Sequence, residues 1–295
     1  MLNKIKGALF GVAIGDALGG TTEFLTKEEI ERRHGVLRDV SGGGCWGLEK
    51  GETTDDTAMT MAVAKGILQN PEEPIEAIGK EFLTWYDSRP KDIGIIISTV
   101  LGTFNGNWFE TAKHAHFEYL NGMSAGNGSL MRCLPAALAY PSIEKVEEVT
   151  KQLSKMTHYD SLAEEACVIY NRIAFQVLHG QDLKEAIVAE IENTPYAAAL
   201  LKEKPACTPD GFVVHTMMWV LYWLLNSETF SDVVIGAANE GYDTDTVAAI
   251  AGGLAGLQCG YEKLPLHFID AILVKEELVE LAKQLGHLQQ NGNIV

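Results

Sequence analysis

Apolar residues recur every three or four positions through much of this chain. Ile143, Val146, Val149, Leu153 and Met156 form one stripe. Leu162, Ala166, Ile169, Ile173, Ala174 and Val177 form a second, which runs out near Gly180. Leu183, Ala186, Ile187 and Ile191 form a third, stopped before Pro195, and Leu278, Leu281, Ala282 and Leu285 form a fourth. Each stripe is the buried face of an amphipathic helix. Strand signals are few. The best is the β-branched run at 93–100, which fits a strand or a buried helix. The longest apolar run, 212–225, is broken by His215. It falls short of the ~20 residues a membrane span needs and reads as a core helix. No long linker or low-complexity block divides the chain. A single, mostly α domain over 1–295 is the expectation.

Two segments have a different texture. Gly7, Gly11, Gly15 and Gly19 recur every fourth residue in the first helix, leaving one face nearly bare. Each helical glycine costs about 1 kcal/mol, so the row needs a reason. Close approach of another backbone supplies one. Residues 248–256 carry Ala248, Ala249, Ala251, Gly252, Gly253, Ala255 and Gly256. These two small-residue helices are expected to cross at the centre of the molecule. Reading the glycine row as a membrane dimer motif is opposed by Asp16 and by the short segment.

Composition narrows the partners. The net charge is −17, from 23 basic and 40 acidic residues. No basic stripe is present to neutralise phosphates, so a nucleic-acid surface and an anionic membrane are both excluded as expectations. The five cysteines, at 45, 133, 167, 207 and 259, show no zinc spacing and read as reduced thiols of a cytoplasmic protein. Lys4 and Lys6 precede an apolar stretch, but Asp16 and the glycines interrupt any signal-peptide layout.

The candidate chemistry lies in two acidic clusters in opposite halves of the chain. They are Thr54-Asp55-Asp56-Thr57 and Asp243-Thr244-Asp245-Thr246. Each opens a helical segment. One alone reads as helix capping, which Asp and Thr favour. Two near-copies, each with an Asp beyond what a cap uses, point to something more. If the fold joins them, four carboxylates meet, and like charges that close need compensation. Hard oxygen donors take Mg²⁺, Mn²⁺ or Ca²⁺, so a paired metal site is the leading expectation.

Other motifs stand in order around the clusters. Gly15-Asp16-Ala17-Leu18-Gly19 ends the first helix, and Glu23 follows what reads as a tight Gly19-Gly20 turn. Gly42-Gly43-Gly44 leads through Trp46 to the first cluster. Ser124, Gly126, Asn127, Gly128 and Ser129 look like a backbone-rich anion loop, because glycines let the main chain approach a pyrophosphate. Thr157-His158 reads as the start of another helix.

This ordered set resembles the ADP-ribosylglycohydrolase family over roughly residues 5–258. The resemblance implies an all-α, compact multi-helix fold around a central binuclear Mg²⁺ or Mn²⁺ site. It implies cleavage of the glycosidic bond between ADP-ribose and an acceptor, either a protein side chain or a small conjugate. Thr54, Asp55, Asp56, Asp243, Asp245 and Thr246 would then ligate two ions. Glu23, Asp92 and Asp56 are the candidate catalytic groups, with Asp92 near the scissile bond or, on the plainer view, a helix cap. His158 would lie near the substrate. Tyr242 stands where many family members have glycine, and Ala58 where Gln is frequent. A monomer is expected. The competing readings are a metallohydrolase of phosphoester or pyrophosphate bonds and a non-catalytic, crystallin-like ADP-ribose binder. Against the first, the chain lacks a P-loop lysine motif.

Overall fold

A computed structural model describes residues 1–291. The protein is all-α. Among the described residues the only β-type pairings are two isolated bridges, Gly43–Leu48 and Gly126–Phe212.

The amphipathic stripes become helices with identifiable starts. Ser142 caps Ile143–Lys155 by accepting from the Lys145 N–H, and Val146, Val149 and Leu153 are buried. Asp160 caps Ser161–Leu178 and Asp182 caps Leu183–Ile191 in the same way. The long apolar run is a helix, Val213–Asn226, with Val213, Met217, Val220, Leu221 and Leu224 buried. The ambiguous segment at 93–100 is helical rather than extended. It forms Ile95–Gly102 behind an extended Gly94.

At the centre, the glycine helix (Leu2–Gly19) lies antiparallel against the alanine-rich helix (Thr244–Cys259). Every residue from Gly7 to Gly19 is buried. A Cβ added at Gly7 would sit 2.2 Å from the Gly256 carbonyl oxygen; at Gly11, 2.0 Å from that of Gly252; at Gly15, 2.0 Å from that of Ala248. At Gly19 it would meet the Thr244 carbonyl at 2.4 Å. Backbone meets backbone along four turns, which only glycine permits. The expected crossing is therefore present, and it sets a register. The end of the glycine helix, with Asp16, abuts the start of the alanine-rich helix, with Asp245.

Candidate active site

Asp16 organises the first acidic cluster, although sequence reasoning gave it no role. Its carboxylate accepts from the N–H of Thr54 and of Thr57, both at 2.9 Å, and from the Thr57 hydroxyl. The helix Asp55–Gln69 is thus capped from outside, by a side chain of another helix. Neither Thr54 nor Asp243, the cap residues of the two acidic helices, makes a capping bond with its own side chain. Asp55 and Asp56 are left free to face elsewhere. Burial raises Asp16 to about 6 against the lowering effect of Thr57 and Thr54. The missed signal was a single carboxylate inside an apolar, glycine-spaced helix.

The two clusters meet. The Thr54 hydroxyl lies within hydrogen-bonding reach of Asp56 at 3.3 Å and of Asp245 at 3.4 Å. The Thr246 hydroxyl reaches Asp56 at 3.3 Å. Asn127 donates to Asp243 at 2.6 Å and to the Thr216 hydroxyl at 2.9 Å, which fixes the Asp243 rotamer. The Gly94 N–H donates to Asp55 at 3.3 Å. One ligand oxygen each from Glu23, Asp243 and Asp245 lies within 4.8 Å of the others. Among the described residues, none of the ion pairs involves these acids. Asp56 Oδ1 and Asp245 Oδ1 are buried with no protein partner. Such orphaned acceptors are costly unless something else binds them. The donors are all hard oxygens, so the residues present fit a divalent cation of the Mg²⁺ or Mn²⁺ type.

Without a cation, these acids resist ionisation. Burial, then the Asp55 and Asp16 charges, pushes Asp92 to about 8. Burial, then Asp92, pushes Glu23 to about 8, although the Trp46 N–H opposes the shift. Burial, then Asp16, pushes Asp55 to about 7, and burial with neighbouring carboxylates raises Asp56 and Asp245 well above the usual range. The folded state therefore holds protons more tightly than the unfolded chain, whose Asp and Glu titrate at 3.8 and 4.5. The chelated protein should be most stable at low pH and lose stability as pH rises from about 4 to about 8. Mg²⁺ or Mn²⁺ should raise its thermal midpoint more at pH 8 than at pH 5. Melting curves of chelated protein across that range check this, and a midpoint that climbs with pH would contradict it.

The acids floor a cavity of about 810 Å³. Gly126, Asn127, Gly128 and His158 form part of its wall, with Asp92 and Ile93 to Ile97 nearby. Ser124 and Ser129 do not line it. The Ser124 hydroxyl is 2.6 Å from His116 Nδ1, and Ser129 is bonded to Ser154 and Cys167, all inside the protein. Their hydroxyls are committed away from any ligand, which corrects the expectation of short hydroxyls donating from this loop. The two glycines have a packing reason as well. A Cβ at Gly126 or Gly128 would press on Ile96 or Ile97 and come within 3.3 Å of the His158 ring.

His158 lies in the turn between two helices, Ile143–Lys155 and Ser161–Leu178, and not at a helix start. It is buried, and burial followed by the Arg132 charge lowers its pKa, so the ring is neutral. Arg132, itself buried, donates to Thr157 Oγ1 at 2.6 Å and to the Gly128 carbonyl at 2.8 Å. Thr157 Oγ1 is 2.7 Å from His158 Nδ1. Arg132 and Thr157 thus hold the ring through Nδ1, and Nε2 points to the side of Gly126 and Gly128.

Glu23 is held differently from expectation. Gly20 keeps helical dihedrals, and the left-handed turn falls at Phe24, φ 62°. Trp46, delivered by the left-handed run Gly42-Gly43-Gly44, donates its indole N–H to Glu23 Oε2 at 2.6 Å. Asp92 is no helix cap, because Gly94 occupies that position.

A family model for ADP-ribosylglycohydrolase matches residues 1–293. The ADP-ribosyl-[dinitrogen reductase] glycohydrolase of Rhodospirillum rubrum is 32% identical over 290 residues, 97% of this chain and 95% of that protein. The ADP-ribosylarginine hydrolase Tri1 of Pseudomonas putida (strain GB-1) is 30% identical over 301 residues, 96% of this chain and 78% of that protein. A solved structure described as an ADP-ribosylglycohydrolase-related protein complex superposes with a TM-score of 0.84 at 27% identity, covering 98% of each chain. The chain is a member of the ADP-ribosylglycohydrolase family and an enzyme built on its all-α fold.

Proposed function

We propose that this enzyme cleaves the N-glycosidic bond between ADP-ribose and an arginine side chain, releasing free ADP-ribose. The observation that carries the reading is the pair of orphaned buried oxygens, Asp56 Oδ1 and Asp245 Oδ1, the second on a residue that lines the cavity together with Glu23, Asp55 and Asp243. Thr54, Asp55 and Asp56 would hold one side of a two-ion site, and Asp243, Asp245 and Thr246 the other. Bound there, Mg²⁺ or Mn²⁺ would fix the vicinal hydroxyls of the ribose and offset the charge of the acids. The arginine acceptor is supported by relatives named for that substrate, and the five free cysteines fit a reducing compartment such as the cytoplasm.

The chain's own groups then divide the work. Glu23, oriented by the Trp46 indole, takes a proton from the attacking water. The water oxygen bonds to the anomeric carbon as the bond to the guanidine nitrogen breaks. The electron pair of that bond stays on the nitrogen, which receives the proton from Glu23, so arginine leaves with its ordinary guanidinium. Asp92 positions the departing group. Asn127 keeps Asp243 in place, and His158 Nε2 and the Gly126–Gly128 main chain face the pyrophosphate side.

Glu23→Gln should lower the single-turnover rate by ~10²–10⁴, the usual worth of a positioned base, while ADP-ribose affinity changes far less. The glutamine retains an oxygen beside Asp243 and Asp245, so bound metal should also persist. A variant that turns over near the wild-type rate would remove Glu23 from the chemistry. The reaction itself is tested by incubating metal-loaded enzyme with ADP-ribosylarginine and, separately, with ADP-ribose. Release of ADP-ribose from the first supports the reading. AMP from the second, with no release from the first, would mean pyrophosphate cleavage, and binding without turnover would mean a non-catalytic protein.

A further inference from the structure

Phe24 and Tyr242 are unusual in the same way. Both are bulky residues in the left-handed region, each at φ 62°. For a non-glycine residue this conformation is strained. Both rings are also solvent-facing, 63% and 42% exposed, and both line the cavity. Phe24 makes one edge-on ring contact, with Trp46 at 6.1 Å, and among the described residues Tyr242 has no ring partner. The fold therefore accepts strain at two positions whose side chains stay substantially exposed to the cavity.

The strain is locked in by the backbone. The Phe24 N–H donates to the Tyr242 carbonyl at 2.7 Å, and the Tyr242 N–H donates to the Leu25 carbonyl at 2.7 Å. Glu240, buried just before, is clamped between Lys27 at 3.1 Å and Lys204 at 2.5 Å. Gly241, at φ 97°, leaves room where an added Cβ would come within 2.9 Å of the Lys27 main-chain nitrogen. The two strained residues sit next in sequence to two of the site's acids, Phe24 after Glu23 and Tyr242 before Asp243. Both rings line the same cavity as Glu23, Asp92, Asp243 and Asp245. Aromatic faces and acidic groups together select a planar cation.

We propose that Phe24 and Tyr242 form an aromatic clamp for the acceptor, gripping the guanidinium of the modified arginine at the rim while the ADP-ribose half occupies the deeper cavity. The proposal rests on the reaction assigned above and adds the residues that choose its acceptor. The clamp touches the part of the substrate that ADP-ribose alone lacks.

The metal-loaded enzyme is compared with Tyr242→Gly, Tyr242→Phe and Phe24→Leu. Tyr242→Gly should lower kcat/KM for ADP-ribosylarginine about tenfold or more, chiefly through KM, as loss of a desolvated cation–aromatic contact would. Its calorimetric Kd for ADP-ribose should stay within about twofold of wild type. Its unfolding midpoint should hold or rise, since glycine relieves the left-handed strain. Tyr242→Phe should keep the wild-type rate, and Phe24→Leu should fall as Tyr242→Gly does. A Tyr242→Gly enzyme with wild-type kcat/KM, or one that loses ADP-ribose affinity in parallel, overturns the clamp while leaving the reaction standing. A wild-type enzyme that releases nothing from ADP-ribosylarginine overturns the reaction and the guanidinium assignment together.

Discussion

Asp56→Asn combined with Asp245→Asn should abolish measurable turnover and, in chelator, make the protein more stable. The two effects run in opposite directions for one reason. Both side chains are buried, each has an oxygen with no protein partner, and each is raised well above the usual carboxylate range by burial and by neighbouring acids. With no cation present the fold must either hold them protonated far above their ordinary range or bear their buried, mutually repelling charges, and neutral isosteres remove both costs. With a cation present they are its ligands, so the same isosteres remove what binds it. The wild type should gain thermal stability on adding Mg²⁺ or Mn²⁺ by mass action, and the double variant should not. Elemental analysis, turnover and melting curves on one preparation suffice. Full metal content with retained activity would sink the assignment. A chelated variant less stable than chelated wild type would show the two carboxylates to be structural.

Gly15→Leu should be the most damaging single change to the fold. Leucine is the better helix former by about 1 kcal/mol, so an exposed position would gain from it. Here the first added carbon would lie 2.0 Å from the Ala248 carbonyl oxygen and 2.7 Å from the Ala249 nitrogen. The obstacle is backbone, which cannot change rotamer, so the helices must part. A loss of about 3 kcal/mol or more is expected, at or beyond the top of the overpacking range. Separation would also pull Asp16 from Thr54 and Thr57 and shift Asp245 out of register with Asp56, so activity should fall with stability. Gly286→Ala provides the contrast. Its added carbon would meet only side-chain atoms, at 3.6 and 3.7 Å, and the substitution should gain about 0.5–1 kcal/mol. Urea unfolding of both variants decides the matter; a Gly15→Leu protein as stable as wild type would mean that the crossing does not hold the centre together.

Much of this architecture could be read from periodicity. The amphipathic stripes announced their helices, and the four-residue spacing of glycine announced a backbone-to-backbone crossing. The duplicated acid clusters announced their meeting. What escaped was whatever depends on a partner far along the chain. Asp16 was legible as part of a glycine motif, but its duty as a cap for another helix follows from the crossing. Trp46 became meaningful only once the glycine loop laid it on Glu23. Ser124 and Ser129 have the right chemistry for an anion loop, yet His116, Ser154 and Cys167 claim their hydroxyls. The run at 93–100 was ambiguous because β-branched residues suit a strand and a buried helix alike. Tyr242 stood out as a departure from the family pattern, whereas its shared strain with Phe24 required the backbone pairing.

The central crossing also governs when this protein can become itself. Apart from Asp16, the glycine helix is apolar on all sides from Gly7 onward, and its partner face is supplied by Thr244–Cys259, far along the chain. Contacts of such long sequence separation close late, after a large entropic loss. A nascent chain must therefore carry a sticky, unpaired first helix through most of its own synthesis, a natural client for chaperones. No fragment that stops before Asp243 can assemble the acidic floor, because half of its carboxylates lie at Asp243 and Asp245. Catalytic competence must wait for that segment to fold back onto the first helix.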